Sequence, residues 1–566
     1  MEKAVAIGIE DYKEIIDKEY YYVDKTLFIK ELLTQKGKVN LFTRPRRFGK
    51  TLALSMIKVY FEAELDQEGN QIDNSRYFNG TKIMKEGEAY TRHIGCYPVI
   101  SLSLKAAKQA DFRMAYTMVK RQIMQEYDRH KYVLSCDAIN GEQKRRYQDI
   151  MFGEEEESLY LDSLKFLSDC LKKYHKQNVI ILLDEYDVPL ENAYLNEFYG
   201  EMITFIRSLF ESALKTNDSL EFAVITGCLR ISKESIFTGL NNLEIISILE
   251  DNYAEYFGFT EKEVEGMLRD YGIMEHLDTV RQWYDGYLFG DTEVYNPWSV
   301  LSYVKTAVSS KKAFPKAYWS NTSSNSIVRK LIERADAGVR TEIEALIAGG
   351  SIRKPMHEEI TYEDMDTSQE NLWNFLFFTG YLKVVGQHFE INTIYVDLAI
   401  PNEEIRYIYQ NTIREWFNQK MEQTDFKGFY QDILSGNAEG MEDFISEQLA
   451  GSISYYDRAE SFYHGYLLGV LSGIHGYKIL SNRENGKGRP DIVLKPFHPK
   501  KPAVIFELKY AKKFTGMKKL CNEALEQIEK KEYARGLLDE GYTKILKYGI
   551  CFCEKSCMIK CGDTAM

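Results

Sequence analysis

Residues 39–56 read VNLFTRPRRFGKTLALSM, and this stretch decides the fold of the N-terminal part of the chain. Its first five residues have the composition of a buried strand, and the residues after Thr51 space their apolar side chains as a helix does. Between the two lies a tight loop that ends in Gly-Lys-Thr. A strand, such a loop and a helix in this order form a phosphate-binding P-loop. The stretch therefore predicts a nucleotide site, with ATP or another NTP as the ligand.

The P-loop pattern predicts a role in nucleotide binding for most residues of this loop. The residues expected to hold the nucleotide are Arg46, Arg47, Phe48, Gly49, Lys50 and Thr51. Backbone N–H groups at the helix N-terminus would cradle the phosphates, Lys50 would reach the β- and γ-phosphates, and the Thr51 hydroxyl would bind Mg²⁺. Arg44 departs from the common pattern, because a glycine usually stands there and permits a turn that a side chain disfavours. Arg44 is also a candidate for phosphate contact, with a solvated loop residue as the alternative.

A second strand supplies two acids. Residues 179–185 read VIILLDE, an apolar run that ends in two carboxylates. Asp184 is expected to hold the Mg²⁺, and Glu185 is expected to polarise the attacking water as general base. Such a run can also be a strand that simply meets a solvated turn. The order of the two motifs, each at the end of a strand, favours nucleotide binding.

A third strand-like run, residues 222–226, also ends in polar groups. Thr226 at its tip could sense the γ-phosphate, and Arg230 could stabilise charge that develops in the transition state. An ordinary strand end followed by a surface arginine is an equally open alternative.

The alternation of strands and helices predicts an α/β fold. The expected strands are residues 39–43, 98–102, 179–184 and 221–226, and the clearest helices are residues 52–64 and 196–214. This pattern favours a parallel sheet covered by helices. The last 110 or so residues read as helix, three strands, helix and strand. We expect a P-loop domain (1–250), a helical lid (251–330), a mixed, possible winged-helix-like region (331–435) and a C-terminal αβββαβ domain (436–566).

The C-terminal part places two acids and a lysine on neighbouring strands. Asp491 opens one strand, and Glu507 and Lys509 lie two residues apart in the next, so that both point to the same face. If the strands pair as a hairpin, the three side chains converge. Two hard oxygen ligands suit Mg²⁺ or Mn²⁺, and Lys509 would orient water or stabilise the transition state. The alternative, an exposed charge pair, fits poorly with the apolar run before Glu507.

The charge of the chain is unevenly distributed. The net charge is −13, which taken alone argues against a nucleic-acid partner. Residues 475–520, however, hold twelve Lys and Arg against three acids, so that this segment carries +9 and the remainder −22. Local charge decides whether a phosphate backbone is attracted. The basic segment surrounds the acid–lysine set and favours nucleic acid, DNA rather than RNA, as the partner; a solvated lysine-rich face is the alternative.

Several N-terminal motifs resemble those of the AAA-ATPase-like family of bacterial and some eukaryotic proteins. They are YVDKT (22–26), LFTRPRRFGKTLALSM (41–56), IILLDEYDVPL (180–190), WYDGYLFG (283–290) and YNPWS (295–299). In that family Arg-Pro-Arg-Arg-Phe-Gly-Lys-Thr is the usual form of the loop, so the arginine at position 44 is a family feature. The resemblance implies an AAA-like domain that binds nucleotide.

The C-terminal motifs resemble the PD-(D/E)XK nuclease superfamily, which has a restriction-endonuclease-like fold. Arg489-Pro490-Asp491 corresponds to the PD part and Glu507-Leu508-Lys509 to the ExK part. Further similar stretches are ESFYHGYLLGVL (460–471), SNRENGKGRPDIVL (481–494) and EALEQIEKKEY (523–533). The resemblance implies a further acid on the helix before the strands, for which Glu460 is the candidate metal ligand. It also implies that Gln527, on the following helix, faces the site.

The remaining sequence features indicate the cellular compartment and the role of the cysteines and histidines. No apolar run approaches the roughly 18 residues that a membrane span needs, and the N-terminus lacks a signal sequence, so we expect a cytoplasmic protein with no membrane partner. Nine cysteines, mostly isolated, fit a reducing compartment. Four of them crowd the C-terminus: Cys551, Cys553, Cys557 and Cys561. Their spacing lacks the separated pairs of structural zinc sites, which favours packing in a buried strand. His464 and His475 are expected to pack or to lie at the surface.

These patterns together predict a hydrolase: an Mg²⁺- or Mn²⁺-dependent nuclease that is regulated or driven by an NTP. The main alternative is a nucleotide-dependent regulatory or scaffolding protein whose nuclease fold binds without cutting. The intact set of Asp491, Glu507 and Lys509 argues against that alternative. A third interpretation is a nuclease whose P-loop binds nucleotide only structurally. Because many NTPases use an arginine of a neighbouring subunit, a homo-oligomer is also open.

Overall fold

The computed structural model describes most of the chain in two compact units. The described residues are 3–154, 156–215, 217–229, 236–237, 241–310, 312–319, 328, 337–357, 368–390, 393–423, 426–450, 460–481, 490–498 and 500–562. The first unit comprises residues 1–327 and 351–408, and the second comprises residues 328–350 and 409–566. The finer division into four parts stays a prediction.

In chain order, the described helices are α1 (Tyr12–Asp17), α2 (Leu27–Gln35), α3 (Lys50–Phe61), α4 (Glu88–Thr91), α5 (Phe112–Arg129), α6 (Gly141–Phe152), α7 (Ser158–Leu161), α8 (Ser163–His175), α9 (Val188–Leu195), α10 (Tyr199–Leu214), α11 (Glu261–Asp270), α12 (Leu277–Tyr284), α13 (Pro297–Ser309), α14 (Ala337–Ile347), α15 (Gln369–Phe378), α16 (Glu403–Gln423), α17 (Lys427–Ser435), α18 (Ala438–Ala450), α19 (Glu460–Leu471), α20 (Met517–Lys530) and α21 (Arg535–Asp539). The strands are β1 (Val39–Thr43), β2 (Val99–Ser103), β3 (Val179–Asp184), β4 (Leu220–Gly227), β5 (Leu243–Ile246), β6 (Tyr287–Phe289), β7 (Thr292–Val294), β8 (Ile352–Pro355), β9 (Lys383–Glu390), β10 (Thr393–Ala399), β11 (Tyr477–Ser481), β12 (Ile492–Pro496), β13 (Ala503–Tyr510), β14 (Ile545–Cys553) and β15 (Ser556–Cys561).

A five-stranded sheet in the order β2-β3-β4-β1-β5 forms the centre of the first unit, and each neighbouring pair is parallel. β1 and β3 are buried along their whole length, as expected for central strands of a parallel sheet. The four expected strands are thereby confirmed. The sequence does not predict β5, because this strand is four residues long, contains a glutamate and is only partly buried at the edge of the sheet.

The register of this sheet brings three strand ends to one edge. Thr43 at the end of β1 lies opposite Gly227 of β4, and Leu183 of β3 lies opposite Ile225 of β4. Parallel strands share the edge at which their carboxyl ends meet. The P-loop, Asp184 and Thr226 therefore emerge side by side.

The remainder of the first unit carries smaller sheets. β6 and β7 form an antiparallel pair among α11, α12 and α13, and β8, β10 and β9 form a three-stranded antiparallel sheet in that order. α15 contacts β8. The mostly helical character expected after residue 250 is thus interrupted by the β6–β7 pair. The winged-helix-like character of the middle region stays a prediction.

The second unit is built on a mixed sheet in the order β11-β12-β13-β14-β15. β13 and β14 are parallel, and the other pairs are antiparallel. The expected order of helix, three strands, helix and strand is confirmed by α19, β11, β12, β13, α20 and β14. The structure adds the short helix α21 and the strand β15.

A glycine lets α20 approach this sheet closely. A Cβ atom on Gly549 of β14 would lie 2.4 Å from the backbone carbonyl oxygen of Cys521 on α20. Since real Cβ atoms do not approach that closely, a larger residue would push the helix away from the sheet. The contact holds α20 against β14 at the residue that lies opposite Glu507 of β13.

Candidate nucleotide and nuclease sites

The P-loop is closed on itself by its lysine. The buried Lys50 ammonium donates to the backbone carbonyl oxygens of Arg44 and Pro45, both at 2.8 Å. Gly49 has φ +83°, a conformation that favours glycine, and α3 begins at the next residue. The lysine and the first turn of α3 therefore face the same loop interior, as the sequence predicts.

Asp184 joins the ends of two strands, β3 and β4, to the first turn of α3. One of its carboxylate oxygens accepts a hydrogen bond from the Thr51 hydroxyl at 2.7 Å, and the other accepts one from the Thr226 hydroxyl at 2.6 Å. Asp184 is buried. The structure thus brings together three of the residues singled out in the sequence. A hydroxyl and a carboxylate are the ligands that a P-loop presents to Mg²⁺.

Glu185 lies beside this cluster with an unusual backbone. Its φ is +52°, and its side chain lines a cavity of about 340 Å³ together with Lys50 and Thr51. Burial, and then the neighbouring Asp184, raise the pKa of the Glu185 carboxyl. A raised pKa suits a group that accepts a proton from water. Arg230 lies outside the described residues.

Asp187 is a functional candidate that the sequence analysis missed. Its carboxylate accepts hydrogen bonds from the backbone N–H groups of Cys228 at 2.7 Å and Leu229 at 3.1 Å. The side chain is buried and holds the chain immediately after β4. Its position three residues after Asp184 in the Asp-Glu-Tyr-Asp run was the available signal.

The side chains of Arg46, Arg47 and Phe48 in the P-loop each contact a different part of the first unit. Arg46 forms an ion pair with Glu191, and the Arg47 guanidinium lies 4.2 Å from the ring centre of Trp298. The buried Phe48 ring packs edge-on against Tyr287 at 4.9 Å. All three residues line the cavity, and the buried Phe48 ring also anchors the loop in the core. Any contact of Phe48 with phosphates would therefore come from its backbone.

Arg44 turns inward, and the suggestion that it contacts phosphates or solvent is wrong. The fully buried guanidinium donates to the carbonyl oxygens of Thr43 at 3.0 Å and Ile246 at 2.9 Å. It also lies 5.3 Å and 5.0 Å from the ring centres of Phe257 and Phe289. Burial lowers the pKa of Arg44 to about 9. Arg44 therefore fastens the end of β1 to the end of β5.

Part of the cavity lining is aromatic. Tyr21 and Tyr22 line it from the N-terminal segment, and Phe259 and Trp298 line it from the residues around α11 and α13. Gly8 passes close to the Trp298 ring, since a Cβ atom there would lie 3.8 Å from it. The motifs YVDKT and YNPWS, which had no assigned part, thus both contribute to the lining of this cavity.

The motif WYDGYLFG has a structural part. Gly286 has φ +86°, and a Cβ atom on it would lie 2.3 Å from the carbonyl oxygen of Pro401. The Asn402 amide donates to the backbone carbonyl of Asp285 at 2.7 Å. The glycine therefore permits the close approach of residues 401–402 to the end of α12.

In the second unit, Asp491, Glu507 and Lys509 converge. β12 and β13 pair antiparallel, with Ile492 opposite Phe506, so that the expected hairpin pairing is confirmed. The Asp491 carboxylate accepts the backbone N–H of Leu508 at 2.8 Å. The Lys509 ammonium donates to Glu507 Oε1 at 3.1 Å. The pairing, and not only the spacing, brings the two acids to one end of the sheet.

Gln527 on α20 completes this group. The Lys509 ammonium donates to Gln527 Oε1 at 2.9 Å, and the Gln527 amide N–H donates to Glu507 Oε1. Glu507 Oε2 is buried and has no hydrogen-bond partner in the part of the chain that the structure describes. Burial, and then Asp491, raise the pKa of the Glu507 carboxyl to about 7.

The two acids fit a divalent cation with few protein ligands. An unpartnered buried carboxylate oxygen is costly unless a cation or a proton satisfies it. Within the described ranges no group of three or more His, Cys, Asp or Glu side chains is placed to hold a metal. Mg²⁺ commonly binds through one or two carboxylates and keeps water and substrate phosphates as its other ligands. Asp491 and Glu507 meet that requirement.

Other expected residues have different outcomes. The side chain of Glu460 and the whole of Arg489 lie outside the described residues. His464 contacts the backbone carbonyl oxygen of Asp491 at 3.1 Å and the Ser481 hydroxyl at 3.1 Å, so it supports the start of β12. His475 is exposed. The cysteines expected to pack in a strand, Cys551 and Cys553, are buried on β14.

Comparison with known proteins agrees with both resemblances. Residues 6–237 match a family model described as "Predicted AAA-ATPase", and residues 458–561 match one described as "PD-(D/E)XK nuclease superfamily". The chain carries an AAA-ATPase-like domain and a PD-(D/E)XK nuclease domain. It is also 27% identical over 411 residues to the "Uncharacterized protein in vnfD 5'region" of Azotobacter chroococcum mcd 1, an alignment that covers 72% of this chain and 67% of that protein.

The two domains together indicate a nucleotide-dependent nuclease. Domains of these kinds generally use a nucleotide and a divalent metal. The AAA-ATPase-like match contains the P-loop, Asp184 and Thr226, and the nuclease match contains Asp491, Glu507 and Lys509. Across the described ranges, no helix has both the length and the apolar character needed to cross a membrane.

The pKa of Glu507 predicts competition between a proton and the metal. Below about pH 7 the metal-free carboxyl holds a proton, which a cation must displace, and above it the carboxylate is free. We expect the affinity for Mn²⁺ to rise about tenfold per pH unit between about pH 5.5 and 7, then to level off. Calorimetric titration across this range measures it, with Glu507→Gln as the control that removes the rise. A wild-type affinity independent of pH would contradict the assignment.

Proposed function

We propose that this protein is an ATP-dependent, Mg²⁺- or Mn²⁺-dependent nuclease that hydrolyses phosphodiester bonds of DNA in the cytoplasm. The observation that carries the proposal is the convergence of Asp491, Glu507 and Lys509, with one buried Glu507 oxygen left unpartnered among the described residues. The two carboxylates offer oxygen ligands to a divalent cation, and the lysine beside them offers a positive charge to the phosphate.

Each residue of this group has a distinct task. Glu507 and Asp491 would hold the cation, which when bound lowers the pKa of water and neutralises charge on the scissile phosphate. Lys509 is fixed by Glu507 and Gln527, so its ammonium is oriented before substrate arrives. It would stabilise the extra negative charge on the phosphate oxygens as the bond to the attacking oxygen forms. Gln527 is a positioning residue, because it holds Lys509 and Glu507 together.

The AAA-ATPase-like domain would bind the nucleotide that controls this reaction. Lys50 would exchange the loop carbonyls for the β- and γ-phosphates, and Thr51 with Asp184 would hold the Mg²⁺. Glu185 would accept the proton of the attacking water. The aromatic side chains that line the cavity suit a nucleobase, because aromatic side chains stack on bases. Trp298 is the best-placed ring, since it already stacks with a P-loop arginine.

The basic segment supports nucleic acid as the substrate. Its charge is +9 in a chain of net charge −13. Four of its lysines, Lys512, Lys513, Lys518 and Lys519, are exposed just after β13, the strand that carries Glu507 and Lys509. Attraction of a phosphate backbone follows local positive charge. Exposed lysines beside a phosphate-cleaving group support a polynucleotide rather than a small phosphate ester.

Loss of Lys509 should abolish cutting. We expect Lys509→Ala to lower Mg²⁺-dependent cleavage of plasmid and single-stranded DNA by about 10²–10³-fold, the effect of removing one preorganised transition-state group. The readout is a gel assay under single-turnover conditions. Lys478→Ala is the control and should stay within about threefold of wild type, because Lys478 is exposed on β11, opposite Lys495 and toward the end of the sheet away from Asp491. Undiminished cleavage by Lys509→Ala would refute the role of the lysine, and a wild type that binds DNA without cutting would favour the scaffolding alternative.

Two substitutions in the nucleotide site test recognition of the phosphates and recognition of the base separately. We expect Lys50→Ala to weaken both ATP and inorganic tripolyphosphate. Trp298→Ala should weaken ATP by about tenfold and leave tripolyphosphate unchanged, since stacking on a base is worth about 1–3 kcal/mol. Trp283→Ala is the matched control, because Trp283 is also half-buried but lies away from the cavity. Calorimetry provides the affinities. Equal ATP affinity in Trp298→Ala and wild type would remove the base assignment, and unchanged ATP binding in Lys50→Ala would remove the P-loop assignment.

A further inference from the structure

The chain leaves the nuclease site through a short basic loop, residues 511–516. β13 carries Glu507 and Lys509 and ends at Tyr510, and α20 begins at Met517. Asp491 lies before the start of β12, opposite the end of β13, because these strands are antiparallel. The loop therefore starts from the same end of the sheet at which the acids and the lysine meet.

The side chains of this loop face solvent. Lys512 and Lys513 are exposed, and Phe514 is 57% exposed, although large apolar side chains usually avoid water. Lys518 and Lys519 follow in the first turn of α20 and are also exposed. An exposed aromatic ring among four lysines is an arrangement in which the ring can stack and the ammonium groups can contact phosphates.

A second exposed phenylalanine shows that composition alone does not identify this surface. Phe497 is 74% exposed and is followed by the exposed Lys500 and Lys501. It comes just after β12, near Ala503, where β13 begins. The two ends of this eight-residue strand are about 23 Å apart at roughly 3.3 Å per residue. Of these two exposed phenylalanines, Phe514 is the one whose loop leaves the sheet at the end that carries Glu507 and Lys509.

We propose that Lys512, Lys513 and Phe514 form a docking loop for a single-stranded stretch of the nucleic acid to be cut. The lysines contact the backbone phosphates on both sides of the scissile position, and the Phe514 ring stacks on an unpaired base. The proposal rests on the proposed nuclease function and specifies the substrate of that site as a strand with unpaired bases.

The physical reason for this preference is that a base pair hides its faces. In a duplex each base is stacked on its neighbours, so a protein ring can reach a base face only where the stack is open. Lysines bind the phosphates of single strands and duplexes alike. The aromatic ring therefore adds affinity for the unpaired form alone, and the lysines add it for both.

Binding measurements on the full-length protein can separate these contributions. The experiment follows fluorescence anisotropy of a labelled 20-nucleotide single strand and of the matching duplex, in EDTA so that no cleavage occurs. The variants are Phe514→Ala and the pair Lys512→Ala/Lys513→Ala. Their matched controls are Phe497→Ala and the pair Lys500→Ala/Lys501→Ala, and thermal melting checks that all four variants fold.

The expected pattern differs between the two loops. Phe514→Ala should weaken single-strand binding about tenfold and leave duplex binding within about twofold. The Lys512/Lys513 pair should weaken both forms and reduce the salt slope on the single strand by roughly 1.4, the value for two lost phosphate contacts. The variants at Phe497, Lys500 and Lys501 should leave single-strand binding within about twofold of wild type.

Other outcomes overturn the proposal. Equal single-strand affinities of Phe514→Ala and Phe497→Ala would show that the ring does not dock the substrate, and equal losses on both forms would exclude base stacking. A wild type that binds neither form would also overturn it. If the loop variants behave as expected but the wild type cuts no substrate with Mg²⁺, the nuclease proposal fails while the docking loop stands.

Discussion

A carboxylate at the end of a fully buried strand must be neutralised, and both sites are built on this constraint. β3 is buried throughout and ends in Asp184, whose two oxygens accept hydrogen bonds from Thr51 and Thr226. β13 is buried as far as Leu508 and carries Glu507, whose oxygens are only half satisfied by Lys509 and Gln527. Ionised groups are costly in such places without partners. The cost of burying an unpartnered carboxylate therefore favours a cation at each of the two sites.

Much of this arrangement could be predicted, because strand ends and period-two spacing are local properties. The four main strands, the pairing of β12 with β13, and the meeting of Thr51, Asp184 and Thr226 all follow from motif order and from the common edge of parallel strands. The direction of Arg44 could not be predicted, since its partners are the carbonyl of Ile246 and the rings of Phe257 and Phe289, about 200 residues or more away in sequence. The same applies to the short edge strand β5.

Two motifs to which the sequence assigns no role have one in the structure. WYDGYLFG supplies Gly286, whose missing side chain leaves room for the carbonyl oxygen of Pro401, and YNPWS supplies Trp298 to the lining of the P-loop cavity. Both therefore act on how the nucleotide-binding unit is assembled. The net charge of −13 likewise conceals the positive charge of residues 475–520, of which Lys512 and Lys513 lie just after the strand that carries Glu507 and Lys509.

The central claim is that nucleotide bound by the P-loop controls cleavage by the acid–lysine group in the same chain. Its most direct measurement is the rate of Mg²⁺-dependent DNA cleavage with and without ATP, in the wild type and in Lys50→Ala. We predict that ATP changes the wild-type rate by at least about tenfold, the upper range of typical coupling between sites being about 150-fold, and leaves the Lys50→Ala rate unchanged. Identical rates in the wild type with and without ATP would contradict the claim and leave the P-loop a structural nucleotide site.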